Sequence, residues 1–524
     1  MENTFLRKLP IGIQDFEKIR LEGCLYVDKT ELIYRLVSLG SYYFLSRPRR
    51  FGKSLLISTL KALFEGKREL FEGLAIASKP DFKWEKHPVL HLDLNTNKYD
   101  RQEVLEQKLG ESLSQWEFLY ECPRPDLPFG MRFENVIKKA YEKTGLRVVI
   151  LVDEYDKPML QAIGNPELQA DFRSILKGFY GALKSMDGCI QFAMLTGVTK
   201  FGKVSVFSDL NNLRDISMSR KYHDICGITE DELKSVFKPE IEELAEENHL
   251  TIDECLAEMR RRYDGYHFET SVQGIYNPFS VLNTFAELKF GSYWFETGTP
   301  SYLVYLLQKH DWNLEEMSQV KASAEVLNSI DADSTNPIPV IYQSGYLTIK
   351  DYEAEFKTYT LGFPNEEVEE GFMKYLMPCY IHRSDENKTP FLIDNFVMDV
   401  RNGNTGQFVK RLRSLFADTP YELVQNLENH YRNVVWLLFK LMGFYTQAEY
   451  HTSDGRIDMV VKTPKYCYVL EFKLDGTAEE ALAQIQDKNY ALPFAIEDQQ
   501  IVCIGINFDS KTRNIDKCLV SSHA

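Results

Sequence analysis

The residues best suited to chemistry fall into two groups near opposite ends of the chain. In the first, Gly52-Lys53-Ser54 stands between an apolar run and an amphipathic one. At a helix start, backbone N–H groups face phosphates, a lysine such as Lys53 reaches the β and γ oxygens, and a hydroxyl such as Ser54 ligates Mg²⁺. Asp153-Glu154 ends another apolar run, where the aspartate can hold the same Mg²⁺ and the glutamate can polarise an attacking water. Thr196 ends a third run and is placed to sense a γ-phosphate. The second group is Asp458, Glu471 and Lys473. Two carboxylates sharing a divalent metal, with a lysine to activate the nucleophile, are a set for phosphodiester cleavage.

The surrounding pattern supplies elements to position the first group. Ser41 to Leu45 reads as a buried strand and Ser54 to Phe64 as a helix with Leu55, Leu56, Thr59, Leu60 and Leu63 inward. Pro88–Leu94, Arg147–Val152 and Ile190–Leu195 are further apolar strands, so the expected fold is α/β, a parallel sheet with ligands at the strands' C-terminal ends. The loop itself is unusual. Arg47 stands where a phosphate loop's first glycine belongs and Pro48 follows, so the early cradle differs. Arg47, Arg49 and Arg50 offer added positive charge to a triphosphate.

The second group reads onto strands Phe444–Glu449, Arg456–Lys462 and Tyr466–Lys473, with a helix before them. Another helix follows from the Thr477–Glu480 capping box, then a strand over Gln500–Phe508. A tight turn at 463–466 puts Asp458 across from Glu471, with Cβ atoms ~5 Å apart, and strand period two puts Lys473 on the same face. Gln484, on the following helix, is near enough to assist, and Glu428 or Glu449 is a candidate further ligand. The bland alternative is a surface hairpin with solvated charges, but Glu471 ends the apolar run Tyr468-Val469-Leu470.

These blocks carry a resemblance. Arg47 to Leu55, Leu151-Val152-Asp153-Glu154-Tyr155-Asp156-Lys157-Pro158, Leu195 to Phe201 and Asn211 to Ser217 resemble the bacterial AAA-ATPase-like family, whose members typically carry a C-terminal PD-(D/E)XK nuclease domain. The resemblance spans nearly the whole chain, and the arginine-rich loop is the family's own form. It implies ATP and Mg²⁺ as cofactors, and carries over Lys53, Ser54, Asp153 and Glu154 by motif. Gly455-Arg456-Ile457-Asp458 is similar to the nuclease superfamily, and the αβββαβ order matches its core.

The expected layout is an AAA-like P-loop domain over 1–225, a helical lid over 226–335 and a winged-helix-like module over 336–383. A linker over 384–420 and a nuclease-like domain over 421–524 complete it. The middle hairpin carries an acidic turn (Asp351, Glu353, Glu355), which suits a protein contact better than DNA.

Composition bounds the rest. With 524 residues, 44% hydrophobic and 13% aromatic, the chain is globular and multidomain, not disordered. No apolar run approaches the ~20 residues of a membrane span, and the first residues lack a secretory apolar region. Nine cysteines with no CxxC pair fit a reducing cytoplasm. A net charge of −16 repels nucleic acid at long range, so a DNA partner needs a local groove or another subunit, and a homo-oligomer is one arrangement. Two readings follow: an ATPase coupled to a metal-dependent nuclease acting on nucleic acid, DNA first; or an NTP-dependent regulatory switch whose nuclease fold binds without cutting.

Overall fold

The computed structural model describes residues 7–200, 212–270, 273–295, 303, 306–307, 312, 314–328, 336–381, 389–417, 427–443, 447–448, 458–494, 499–512 and 514–523. Two compact units emerge: Met1–Thr297 with Gln319–Val368, and Gly298–Ser318 with Glu369–Ala524.

The first unit is built on five parallel strands: β1 (Tyr42–Ser46), β2 (Val89–Asp93), β3 (Val148–Asp153), β4 (Ile190–Gly197) and β5 (Arg214–Asp215). Their order is β2-β3-β4-β1-β5. β1 and β3 are buried along their whole length, which is why their sequences are unbroken apolar runs. Side chains alternate between two faces. Tyr43, Leu45, Val149, Leu151, Phe192 and Met194 pack with Leu56, Ile57, Leu60 and Leu63 of the Lys53–Phe64 helix in one core. On the other face Phe44 meets Tyr155 edge-on. Helices Gln102–Leu119, Phe129–Thr144 and Pro166–Tyr180 pack together through the stacked rings of Trp116, Phe133 and Phe179.

A helical subdomain follows. Helices Glu230–Val236 and Ile252–Tyr263 each open on a capping box, Thr229 with Glu232 and Thr251 with Glu254. With Lys238–Glu247 and Pro278–Glu287 they share a core of Leu233, Phe237, Ile241, Leu244, Met259, Tyr263 and Phe285. Strands β7 (Thr348–Glu353) and β8 (Thr358–Gly362) form the expected middle hairpin. β6 (Val320–Ser323) adds to β8, a strand the sequence reading missed.

The second unit carries a mixed sheet: β9 (Gln447–Ala448), β10 (Met459–Lys462), β11 (Tyr466–Leu474), β12 (Gln500–Asp509) and β13 (Asn514–His523). Their order is β13-β12-β11-β10-β9, antiparallel except for the β11–β12 pair. With helices Leu427–Gly443 and Ala478–Asp487 this gives the expected αβββαβ succession, and β13 extends it.

The expected linker over 384–420 needs correction. Described residues there form helices Thr389–Arg401 and Thr405–Ala417, tied together by the Asp399–Arg411 ion pair. Phe396 and Phe408 pack there too, and Phe408 reaches Phe439 of the Leu427–Gly443 helix. Gly403 and the polar residues around it mark the turn between two packed helices, not a free tether. The lid expected over 226–335 is interrupted as well, since Gly298–Ser318 groups with the second unit and β6 lies inside that range.

Candidate functional site

The phosphate-loop residues converge at the C-terminal end of the parallel sheet. β1 ends at Ser46, and the chain turns through Arg50 (φ 63°) and Gly52 (φ 92°) before Lys53 opens the helix. Gly52 is needed at that left-handed position, where an L side chain is strained, and the space beside it is open. The buried Lys53 ammonium donates to the carbonyls of Arg47 (3.1 Å) and Pro48 (3.2 Å) and lies 3.2 Å from Glu154 Oε1. Ser54 is half-buried in the first turn.

Opposite stand the carboxylates. Asp153 Oδ1 accepts from the Thr196 hydroxyl at 2.6 Å and from the Glu154 N–H at 3.1 Å, so this oxygen is held by two neighbours. Glu154 adopts φ 52°, a strained conformation for glutamate of a kind that concentrates at functional sites. Asp156, fully buried, accepts from the N–H groups of Val198 (3.2 Å) and Thr199 (2.6 Å) and from the Thr199 hydroxyl (2.6 Å). Burial first, then the Glu154 carboxylate, raise its pKa to about 6. It locks the turn after β3 to the end of β4.

The three loop arginines divide. Arg47 is buried, and its guanidinium is taken up by protein groups, donating to the carbonyls of Ser46, Ser217, Tyr222 and His223 and lying 3.8 Å over the Phe268 ring. Burial pulls its pKa to about 10, which leaves it charged at neutral pH. The expectation that it adds charge against a triphosphate is therefore corrected: it anchors the loop. Arg49 and Arg50 are exposed. The Arg49 carbonyl accepts from Trp294 Nε1 at 2.9 Å, and the Arg50 guanidinium sits 4.3 Å over Phe279. Trp294 is held in turn by Glu367, whose buried carboxylate accepts from the Trp294 N–H (2.7 Å) and the Ser280 hydroxyl (2.7 Å), burial raising it to about 7.

Beside Gly52 opens a largely apolar cleft. Tyr26, Val27, Leu55, Ile228, Phe237 and Pro278 are among its walls, drawn from four separate stretches of chain. Sequence reasoning missed it because no spacing marks residues that meet only on folding.

In the second unit the β10–β11 register runs from Met459–Leu470 to Lys462–Cys467, and one step further outward Asp458 faces Glu471, as the turn length predicted. Asp458 Oδ2 accepts from the Phe472 N–H at 2.8 Å. Lys473 Nζ donates to Glu471 Oε1 (3.2 Å) and to Gln484 Oε1 (2.6 Å), so the structure brings these four residues together. Glu471 is 2% exposed, and its Oε2 has no hydrogen-bond partner among the described residues. Burial, then the Asp458 charge, raise its pKa to about 7 against the pull of Lys473. A buried carboxylate oxygen without a donor is costly unless a cation meets it, so this pair suits a divalent metal. Among the described residues no group of three or more His, Cys, Asp or Glu is gathered for a metal. Glu449 and the Glu428 side chain lie outside the described residues.

Gly505, opposite Glu471 on β12, was also missed. A Cβ there would lie 2.5 Å from the Ala478 carbonyl and 2.7 Å from the Leu482 nitrogen, so this glycine lets the helix bearing Gln484 sit down on the sheet.

Fold and sites together define a P-loop ATPase-like protein with a nuclease-like second unit. Residues 10–207 match the family described as Predicted AAA-ATPase, and residues 426–518 match the PD-(D/E)XK nuclease superfamily. The chain belongs to this AAA-ATPase-like family. It is 36% identical over 529 residues to an uncharacterized protein in the vnfD 5′ region of Azotobacter chroococcum mcd 1, covering 98% of this chain and 99% of that relative. Among the described residues no helix is long and apolar enough to cross a membrane.

Proposed function

We propose that the chain is an ATP-hydrolysing protein coupled to a metal-dependent nuclease that cleaves nucleic-acid phosphodiesters, DNA first among them. The observation that carries the nuclease is Glu471: a buried carboxylate with one oxygen undonated, across from Asp458 and beside Lys473. Asp458 and Glu471 would hold Mg²⁺, which when bound acidifies water and offsets charge on the phosphate. Lys473, aligned by Gln484, orients the nucleophile. In the first unit Gly52, Lys53 and Ser54 cradle the triphosphate, with Arg49 and Arg50 at its edge, Asp153 and Ser54 hold Mg²⁺, Thr196 fixes Asp153, and Glu154 takes the water's proton. The apolar cleft beside Gly52 receives the base.

Incubating the protein with plasmid, linear DNA and RNA, with Mg²⁺ or Mn²⁺ and with or without ATP, tests both halves. Lys53→Ala should abolish ATP binding, whereas Glu154→Gln should bind ATP but not turn it over. ATP hydrolysis that persists in both variants refutes the first site. The second reading, a nucleotide-dependent switch that binds without cutting, draws on the −16 net charge. It prevails if no substrate is cut under any combination.

A further inference from the structure

We propose that Lys157 is a further catalytic residue of ATP hydrolysis, supplying from within the same chain a second cation to the γ-phosphate. The proposal rests on the ATPase reading above. Lys157 follows Glu154 by one tight turn, its N–H donating to the Glu154 carbonyl at 3.1 Å. Its ammonium reaches across to the loop after β2, where it donates to the Asn95 carbonyl and to Asn95 Oδ1 (2.8 Å). Asn95 is itself fixed by its N–H on Asp93 Oδ1 (2.7 Å), and Asp93 pairs in register with Asp153. The ammonium thus hangs over the same end of the sheet as the Mg²⁺-binding aspartate and the water-polarising glutamate.

Its setting is electrostatically incomplete. Both of these hydrogen-bond acceptors are neutral amide oxygens, whereas Lys53, besides two backbone carbonyls, has the Glu154 carboxylate at 3.2 Å. The charges facing Lys157 are Glu154 and Asp93, which attract, and Arg49 of the phosphate loop, which repels; partial burial is the largest influence, and the balance lowers its pKa. A half-buried lysine that also feels a loop arginine gains most when an anion arrives. The γ-phosphate is that anion, and its charge grows toward the transition state.

In the reaction the water oxygen bonds to the γ-phosphorus, and the bond from phosphorus to the β–γ bridging oxygen breaks with its electron pair leaving on ADP. One water proton passes to the Glu154 carboxylate. Lys157 makes and breaks no covalent bond; it releases Asn95 and meets the charge on the departing phosphoryl oxygens.

The test uses the full chain carrying Lys157→Met and Lys157→Arg. With Lys157→Met, kcat for ATP should fall at least about a hundredfold, the size expected for one preorganised donor. KM and the affinity for ADP should stay within about threefold of wild type, since those do not draw on transition-state charge. The variant should also fail to trap ADP with aluminium fluoride, and Lys157→Arg should recover part of both losses. Unchanged turnover in Lys157→Met, or ADP affinity falling in step with kcat, overturns the proposal. A wild-type protein that binds ATP yet never hydrolyses it removes the proposal together with the reading beneath it.

Discussion

Asp458 and Glu471 face each other across the β10–β11 hairpin, and the 2.8 Å bond from the Phe472 N–H pins Asp458 in that position. Because neither carboxylate alone completes a metal site, Asp458→Ala and Glu471→Ala should each abolish Mn²⁺ binding by calorimetry and eliminate cleavage. Combining them should cost nothing more, since their effects run through one ion. Lys473→Ala should retain metal and cut slowly, because lysine is not a ligand for a hard cation. ATP hydrolysis should be intact in all of them. Cleavage that survives Glu471→Ala removes the site.

The raised pKa of Glu471 has a stability consequence of definite sign. Its ordinary value is 4.5 and its folded value about 7, so between those pH values the folded chain holds a proton that the unfolded chain has lost. Stability therefore falls as pH rises through that window, by up to ~3 kcal/mol, and levels off above it. Glu471→Gln should cancel this component. Melting curves of both proteins in EDTA from pH 4.5 to 8 should diverge, with the variant the more stable at pH 8. Asp156 and Glu367, raised by burial in the first unit, contribute equally to both curves. Parallel curves would mean that Glu471 ionises normally. Added metal must displace the same proton, so its affinity should rise with pH up to about 7.

Much of this was legible in the sequence where one local rule governs. Strands β1, β3 and β4 announce themselves as apolar runs because both sheet faces are covered. The Asp458–Glu471 opposition follows from turn length alone, and the capping boxes at Thr229 and Thr477 from a three-residue spacing. What the sequence hides depends on long-range partners. Arg47 reads as phosphate-binding charge because its four carbonyl acceptors include three lying 170 or more residues away. Thr389–Arg401 was missed as a helix beside polar residues, since its apolar face is defined only by the helices it packs on. β13 alternates too weakly to stand out until β12 supplies its ladder.

Gly505 offers a test of how closely the Gln484 helix must approach the sheet. Both atoms nearest to an added Cβ belong to that helix's backbone, so Gly505→Ala cannot be absorbed by a side-chain rotation. The helix must shift, at a cost of ~1–3 kcal/mol for overpacking. Gln484 would then lose its 2.6 Å bond from Lys473. Cleavage should fall more than Mn²⁺ affinity does, because Asp458 and Glu471 stand on the hairpin. Equal melting temperature and cleavage rate in wild type and variant would show that the contact is slack.

Arg47 invites a counterintuitive substitution. A phosphate loop ordinarily begins with glycine, so Arg47→Gly brings the loop closer to the common pattern, and pattern alone predicts better nucleotide binding. The structure argues the reverse. The guanidinium holds carbonyls of Ser46, Ser217, Tyr222 and His223, joining the loop's head to the segment after β5, and it stacks on Phe268 from the helical subdomain. Glycine would leave those buried acceptors without their donor and add backbone freedom just before Pro48. With charge-assisted bonds worth ~1.5–3 kcal/mol each, the loss should exceed ~3 kcal/mol even if water enters. Lys53 would suffer next, because two of its acceptors are the carbonyls of Arg47 and Pro48 themselves. The expected outcome is a lower melting temperature and ATP affinity weakened at least tenfold, both read on the full chain. Arg47→Lys, which keeps the charge but not the fork, should recover little. An Arg47→Gly protein that melts and binds ATP like wild type would return Arg47 to the role of spare charge.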